Sequence, residues 1–222
     1  MSMNKRQEFD MTTLPADLPI LPLRNSVFFP GAVMPLTIGR ARTIRLVEET
    51  MSENTLIGIV AQRSPEIDDP TSNDLYGVGT VARIIKLTRT GKEGFSIVVE
   101  GLARFSLGEM TQFDPYLRAK AVGIPDQGVL DPEIDALTTN VKTTAREVVD
   151  MLPEMPLMAK QLLENISDAG HLADLITANI DATIQEKQDV LECPLLKVRL
   201  KLVLELLARQ LEVATREGAS GD

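Results

Sequence analysis

The sequence predicts an α+β protein, in which a small antiparallel β-barrel with one helix is followed by an α-helical bundle. Short runs rich in β-branched residues, separated by Gly, Pro, Asp and Asn, fill the first half of the 222-residue chain. The second half shows apolar residues at helical spacing. Charge divides the chain at the same place, since residues 1–125 hold 14 Lys and Arg against 14 Asp and Glu, whereas residues 126–222 hold 9 against 18.

The β-rich half begins with a predicted strand over residues 18–23, after which Pro30 and Gly31 bend the chain before a second strand over residues 33–38. One helix is predicted over residues 40–54, because Ile44, Val47 and Met51 recur at helical spacing. A closed or nearly closed antiparallel barrel would hide the edges of so many short strands. The remaining predicted strands cover residues 55–62, 80–90, 95–101 and 116–124, with a hairpin at "TGKEG" (90–94).

Four helices are predicted in the second half. Asp131 and Pro132 form a helix start, and Pro153 and Pro156 end that helix. The other three predicted helices take Leu157 to Ile166, then a segment capped by Ser167 or Asp168 that runs to Ile180, and a long segment from near Pro194 to about Arg216. The predicted organisation is a flexible tail (1–16), a β-rich domain (17–125), a helical subdomain (126–217) and a flexible end (218–222).

Composition excludes several classes of protein. With 44% hydrophobic residues the chain can bury a sizeable core. No apolar run approaches the roughly 20 residues of a bilayer helix, and the N-terminus is polar, so we expect a cytoplasmic protein without a membrane partner. The single Cys193 has no cysteine partner for a disulfide or a metal site.

Three segments superficially resemble catalytic or cofactor motifs. "GVGTVA" (77–82) follows a polar loop and precedes a β-rich run, unlike a dinucleotide-binding turn. "GKEG" (91–94) lacks the spacing of a phosphate loop. His171, the only histidine, lies at a predicted helix start, where a residue of the capping turn is the ordinary explanation. These residues predict a binding module without catalytic residues, cofactor or metal.

Nucleic acid is a weaker candidate partner. Arg40, Arg42 and Arg45 cluster on one predicted helix, but the β-rich half is neutral and lacks a basic stripe with interleaved aromatic residues. A PUA-type nucleic-acid binder is therefore disfavoured by charge, and an oligomerisation module is a further alternative.

Several separated motifs resemble the Lon family of ATP-dependent proteases. The segment "LPILPLRNSVFFPGAVMPLTIGRARTIRLVEE" resembles the start of the Lon N-terminal domain, and the resemblance covers roughly residues 18–213. The motifs that continue it are "GVGTVARIIKL", "IVVEGLARF", "ISDAGHLADLITANI" and "EKQDVLECPLLKVRLKLVLELLARQLE". What the resemblance implies is a PUA-like barrel followed by a helical bundle, which catches unfolded or damaged polypeptides and supports a hexamer.

In the Lon family, ATP and Mg²⁺ belong to an ATPase module, and proteolysis belongs to a Ser-Lys module. Neither motif occurs in this chain. Either a fragment of a full protease or a free-standing protein-binding adaptor is compatible with the resemblance.

Two apolar groups are candidate contacts for a polypeptide substrate. Phe28 and Phe29 are neighbours and would point to opposite sides of an extended segment, so that one is expected in the core and the other is a candidate for an exposed apolar contact. Burial of both rings within the loop is the alternative. Flexible methionines around a proline-broken connection suit a surface that accepts many sequences. Filling of the core between two helices is the alternative for these residues. This second candidate group contains Met151, Met155, Leu157 and Met158.

The last predicted helix carries two apolar stripes. We expect one stripe to face the bundle and the other, which includes Leu202 and Leu206, to support weak self-association. The charged residues of this helix, among them Arg199 and Arg209, are expected on its solvent face.

Overall fold

The computed structural model describes residues 9–53, 55–91, 94–151 and 157–219. The chain forms two compact units, which we call the β unit (Glu8–Pro125) and the helical unit (Asp126–Asp222). The architecture is α+β, as the sequence predicts. No helix in the described part of the chain is long and apolar enough to cross a membrane.

The β unit contains six strands: β1 (Asp17–Leu23), β2 (Val33–Ile38), β3 (Ile57–Ala61), β4 (Val78–Thr90), β5 (Gly94–Gln112) and β6 (Arg118–Ile124). One helix, α1 (Ala41–Glu53), follows β2. The strands form a mixed sheet in the order β2-β5-β4-β3-β1-β6, and β6 also pairs with β5.

The prediction of a purely antiparallel sheet is wrong at one pair. β1 and β3 run parallel, with Ile20 opposite Gly58 and Leu23 opposite Ala61. Parallel neighbours need a long crossover connection. Strand β2 and helix α1 together provide it, and β2 pairs with β5 on the far side of the sheet. That this sheet forms a PUA-like barrel stays a prediction.

Strand β2 lies at one end of the sheet order, and Pro35 protects its free edge. The N–H of Gly101 donates to the carbonyl of Ala32 over 2.8 Å. Because hydrogen-bonding direction alternates along an antiparallel strand, residues 33, 35 and 37 turn their backbone groups away from β5. Pro35 has no N–H to offer there, and proline at such a position discourages pairing with another chain.

Helix α1 packs with a slightly different face from the one predicted. Leu46, Val47 and Thr50 are buried, whereas Met51 is 37% exposed. The predicted stripe therefore holds for Val47 and for Ile44, which is partly buried against the core, but not for Met51. The other buried positions, Leu46 and Thr50, lie one residue before predicted ones, and Leu46 and Val47 belong to the main core cluster of the β unit.

The helical unit has one helix more than the sequence predicts. The additional helix α5 contains nine mostly polar residues, so it shows little apolar periodicity. Thr183 and Glu186 begin it with a capping box, in which each residue bonds the backbone of the other. The helices are α2 (Ile134–Met151), α3 (Leu157–Asn165), α4 (Ala169–Asn179), α5 (Ile184–Glu192) and α6 (Leu196–Ala219).

Candidate functional site

Phe28 and Phe29 are both buried, with 2% and 1% of their surface exposed. Burial of both rings, the alternative that the sequence left open, is therefore confirmed, and the candidate role of one ring as an exposed contact is wrong. The segment that carries them lies against the sheet, since the Thr80 hydroxyl donates to the Phe28 carbonyl over 2.6 Å. A Cβ on Gly101 would collide with the Phe29 carbonyl. Both contacts hold the segment against β4 and β5, and since both rings are buried, neither is presented to a partner.

The methionine-rich candidate is only partly described. Met151, the last residue of α2, is 45% exposed. Met155 lies outside the described residues, and for Leu157 and Met158 only the helical backbone of α3 is described. Their role in binding stays a prediction.

An apolar groove lies between helices of the helical unit. It has a volume of about 190 Å³ and is formed by α2, α3 and α4, with one residue from α6. Its lining residues are Ala145, Val148, Val149, Leu162, Leu163, Leu175, Ile176, Asn179, Ile180 and Gln210.

The groove combines a buried floor with an exposed edge. Val148, Leu163 and Ile176 are buried, whereas Leu162 is 46% exposed. Two ion pairs fix α3 against α2 beside the groove: Arg146 Nη2 lies 2.6 Å from Glu164 Oε1, and Lys160 pairs with Asp150. A groove of this kind can bury an apolar side chain from another polypeptide.

Two side-chain amides supply the polar part of the groove. Asn179 Nδ2 donates to the Leu175 carbonyl over 2.8 Å, and Gln210 Oε1 accepts from the Asp181 N–H over 3.1 Å. Each amide thus has one end engaged with the protein backbone. An amide carries both donors and acceptors, so it can bond a peptide backbone irrespective of the bound sequence.

The prediction that Arg199 lies on the solvent face of the last helix is wrong. Arg199 is fully buried, with its Nε 3.0 Å from the Cys193 carbonyl. Its guanidinium pairs with Asp126 and with the fully buried Asp174. A buried cation requires such partners. Nothing in the local sequence distinguishes Arg199 from its exposed neighbours, because the partners lie 73 and 25 residues away.

The two candidate self-association residues lie in different environments. Leu206 is only 8% exposed and belongs to the core, so its assignment to an outward stripe is wrong. Leu202 is partly buried. The exposed apolar residues near and along α6 are instead Leu195, Val198 and Val213, which are 48%, 43% and 48% exposed.

Two of the segments that resemble catalytic or cofactor motifs lie in ordinary structural elements, one in strand β4 and one in the capping turn of α4. Gly79 of "GVGTVA" lies in β4 opposite Phe105, and a strand follows it rather than a helix. The His171 N–H donates to Asp168 Oδ1 over 2.6 Å in the first turn of α4, as a capping-turn residue does. The described residues contain no group of His, Cys, Asp and Glu able to hold a metal ion.

Comparison with known families identifies the fold. Residues 17–209 match the model of the ATP-dependent protease La (LON) substrate-binding domain. The chain belongs to this family. The Lon proteases of Anaeromyxobacter dehalogenans and Myxococcus xanthus (Lon protease 2) are 53% and 51% identical to it over 201 residues. These matches cover 90% of this chain but 24% of each relative, so the chain spans about a quarter of their length.

Solved Lon domains share the same fold. The N-terminal domain of Mycobacterium avium complex Lon protease aligns with a TM-score of 0.68 at 20% identity, over 86% of this chain and 98% of that one. A Lon N-terminal domain protein from Xanthomonas campestris aligns with a TM-score of 0.61 at 19% identity, over 85% and 97%. The chain therefore has the fold of Lon N-terminal domains.

Proposed function

We propose that this Lon substrate-binding domain captures unfolded or damaged polypeptides by taking their apolar side chains into the groove between α2, α3 and α4. The observation that carries the proposal is the groove itself, with its apolar lining and the exposed Leu162 at its edge. Unfolded chains expose the apolar residues that folded proteins bury, so an open apolar groove favours them.

ATP hydrolysis and peptide-bond cleavage are proposed to take place outside these 222 residues. The relatives are about four times as long as their match to this chain, and the sequence contains neither a phosphate loop nor a Ser-Lys protease motif. The domain would hold a substrate while the remaining modules act on it. The proposed cellular site is the cytoplasm.

The proposal can be tested with the purified chain and a permanently unfolded protein, such as reduced and carboxymethylated α-lactalbumin carrying a fluorescent label. We expect binding without nucleotide, and no hydrolysis of ATP or cleavage of casein. Nucleotide-dependent cleavage by this chain would contradict the proposal.

Leu162→Ser tests the groove directly. Because Leu162 is 46% exposed, its replacement should weaken binding with little effect on the melting temperature. The matched control is Leu130→Ser, since Leu130 is 93% exposed in the same unit but does not line the groove. Equal binding by wild type and both variants would place the substrate surface elsewhere.

A further inference from the structure

Eight of the nine basic residues of the helical unit, all except Lys201, already form hydrogen bonds or ion pairs within the unit. Lys142 Nζ and Lys187 Nζ donate to the carbonyls of Ile166 and Ala178 over 2.6 and 3.2 Å. Six more of the nine bases form ion pairs with carboxylates: Arg146, Lys160, Lys197, Arg199, Arg209 and Arg216.

Residues 126–222 contain 18 acidic and 9 basic residues, so many carboxylates remain outside ion pairs. A surplus of this kind gives the helical unit a negative potential, which acts over about 10 Å at 0.1 M salt. Within the described part of the unit, the acidic residues that form no ion pair are Asp135, Glu147, Asp168, Asp181, Asp189, Glu192 and Glu205.

One of these carboxylates, that of Asp181, lies at the end of the apolar groove. Asp181 directly follows Ile180, which lines the groove, and its N–H donates to Gln210, which also lines it. Gln210 is shared with a second depression of about 270 Å³ that contains Asp181, Glu186 and Arg209. Among the lining residues Glu186 and Arg209 form an ion pair, so Asp181 gives the lining its net negative charge. Lys187, which also interacts electrostatically with Asp181, does not line the depression, and its Nζ donates to the Ala178 carbonyl.

We propose that the groove selects extended polypeptide segments in which apolar residues are flanked by Lys or Arg. This inference rests on the proposed function of the groove. The apolar side chain would enter the groove, and a neighbouring basic side chain would enter the depression beside Asp181. Acidic flanks would be repelled by the same carboxylates.

The test uses the 222-residue chain and three labelled peptides of equal length that share one apolar centre and differ in their flanks. Fluorescence anisotropy should show that Lys flanks bind about tenfold more tightly than Glu flanks at low ionic strength, with Gln flanks in between. The difference should shrink in about 0.5 M salt, where screening shortens the range of the interaction.

Asp181→Asn should weaken binding of the Lys-flanked peptide and leave the Gln-flanked peptide unchanged. The control is Asp135→Asn, which removes the same charge about 20 Å from Val148 along α2. Melting curves of both variants should match the wild type.

The outcomes separate the two proposals. If Lys-flanked and Glu-flanked peptides bind equally and Leu162→Ser weakens both, the charge preference is overturned and the groove stands. If no peptide binds, or if binding is indifferent to Leu162→Ser, the groove fails and the charge preference fails with it.

Discussion

At the residue scale, the absence of a side chain at Gly101 allows the Phe28-Phe29 segment to pack against β5. Gly101 lies in β5, where the Phe29 carbonyl and the Phe28 ring fill the space that a Cβ would need. The Gly31 N–H donates to the Gly101 carbonyl over 2.8 Å, which holds the segment in this position. The close approach of two backbones therefore decides the identity of this residue.

We expect Gly101→Ala to lower the free energy of unfolding by about 1–3 kcal/mol, because the new methyl group collides with backbone that cannot move aside easily. Urea denaturation followed by circular dichroism measures the change. Gly39→Ala is the matched control, since a Cβ at Gly39 meets nothing within 4 Å. Equal stability of the two variants would mean that the Phe28-Phe29 segment is not packed on β5 as described.

At the scale of the elements, short polar helices depend on their caps more than on an apolar face. Helix α5 begins with the capping box of Thr183 and Glu186, and Arg209 of α6 binds the same carboxylate with its Nη2 2.9 Å from Oε2. The hydrogen bond from Arg209, together with that from the Thr183 N–H, lowers the pKa of Glu186 from 4.5 to about 2. One side chain thus both starts α5 and joins it to α6.

Glu186→Gln should reduce stability at neutral pH by about 1 kcal/mol or less, because the ion pair is partly exposed. The folded-state pKa of Glu186 lies below its ordinary value, so its stabilisation is complete above about pH 4.5 and is lost as the pH falls towards 2. Urea denaturation of wild type and variant at pH 7, 4 and 2.5 should therefore give a difference that shrinks with acidity. A difference independent of pH would show that the charge of Glu186 does not contribute.

At the scale of the whole molecule, α6 has an apolar surface that the described residues do not cover. Leu200, Val203, Leu206 and Leu207 pack inside the helical unit, whereas Leu195, Val198 and Val213 are exposed. The relatives are about four times as long as the matched region. We therefore propose that this surface supports assembly in the full-length Lon protease, and that it allows weak self-association of the isolated chain.

Sedimentation equilibrium should show concentration-dependent self-association that weakens in the double variant Leu195→Gln and Val198→Gln, with unchanged thermal stability. Leu206→Ala should behave differently, because Leu206 is buried: it should lower the free energy of unfolding by about 2–5 kcal/mol. A strictly monomeric wild-type chain at several hundred micromolar would contradict the prediction.

The sequence by itself determined the features that depend on local chemistry. The α+β class and the strands and long helices followed from apolar periodicity, and the Lon resemblance followed from motifs in order along the chain. Capping placed the start of α4 at Ser167 or Asp168, and the structure selects Asp168. The helix α5 was missed, although the Thr183 and Glu186 pair is a recognisable capping signal.

Only the tertiary structure decided which side chains meet across long distances in the chain. The parallel β1–β3 pair, the burial of both phenylalanines and the core position of Leu206 depend on which segments lie alongside one another. The same holds for Arg199 and its distant aspartates, and for the groove, whose walls come from four helices. Periodicity reports which face of an element is apolar, but burial depends on the area that neighbouring elements cover, and no local pattern records that area.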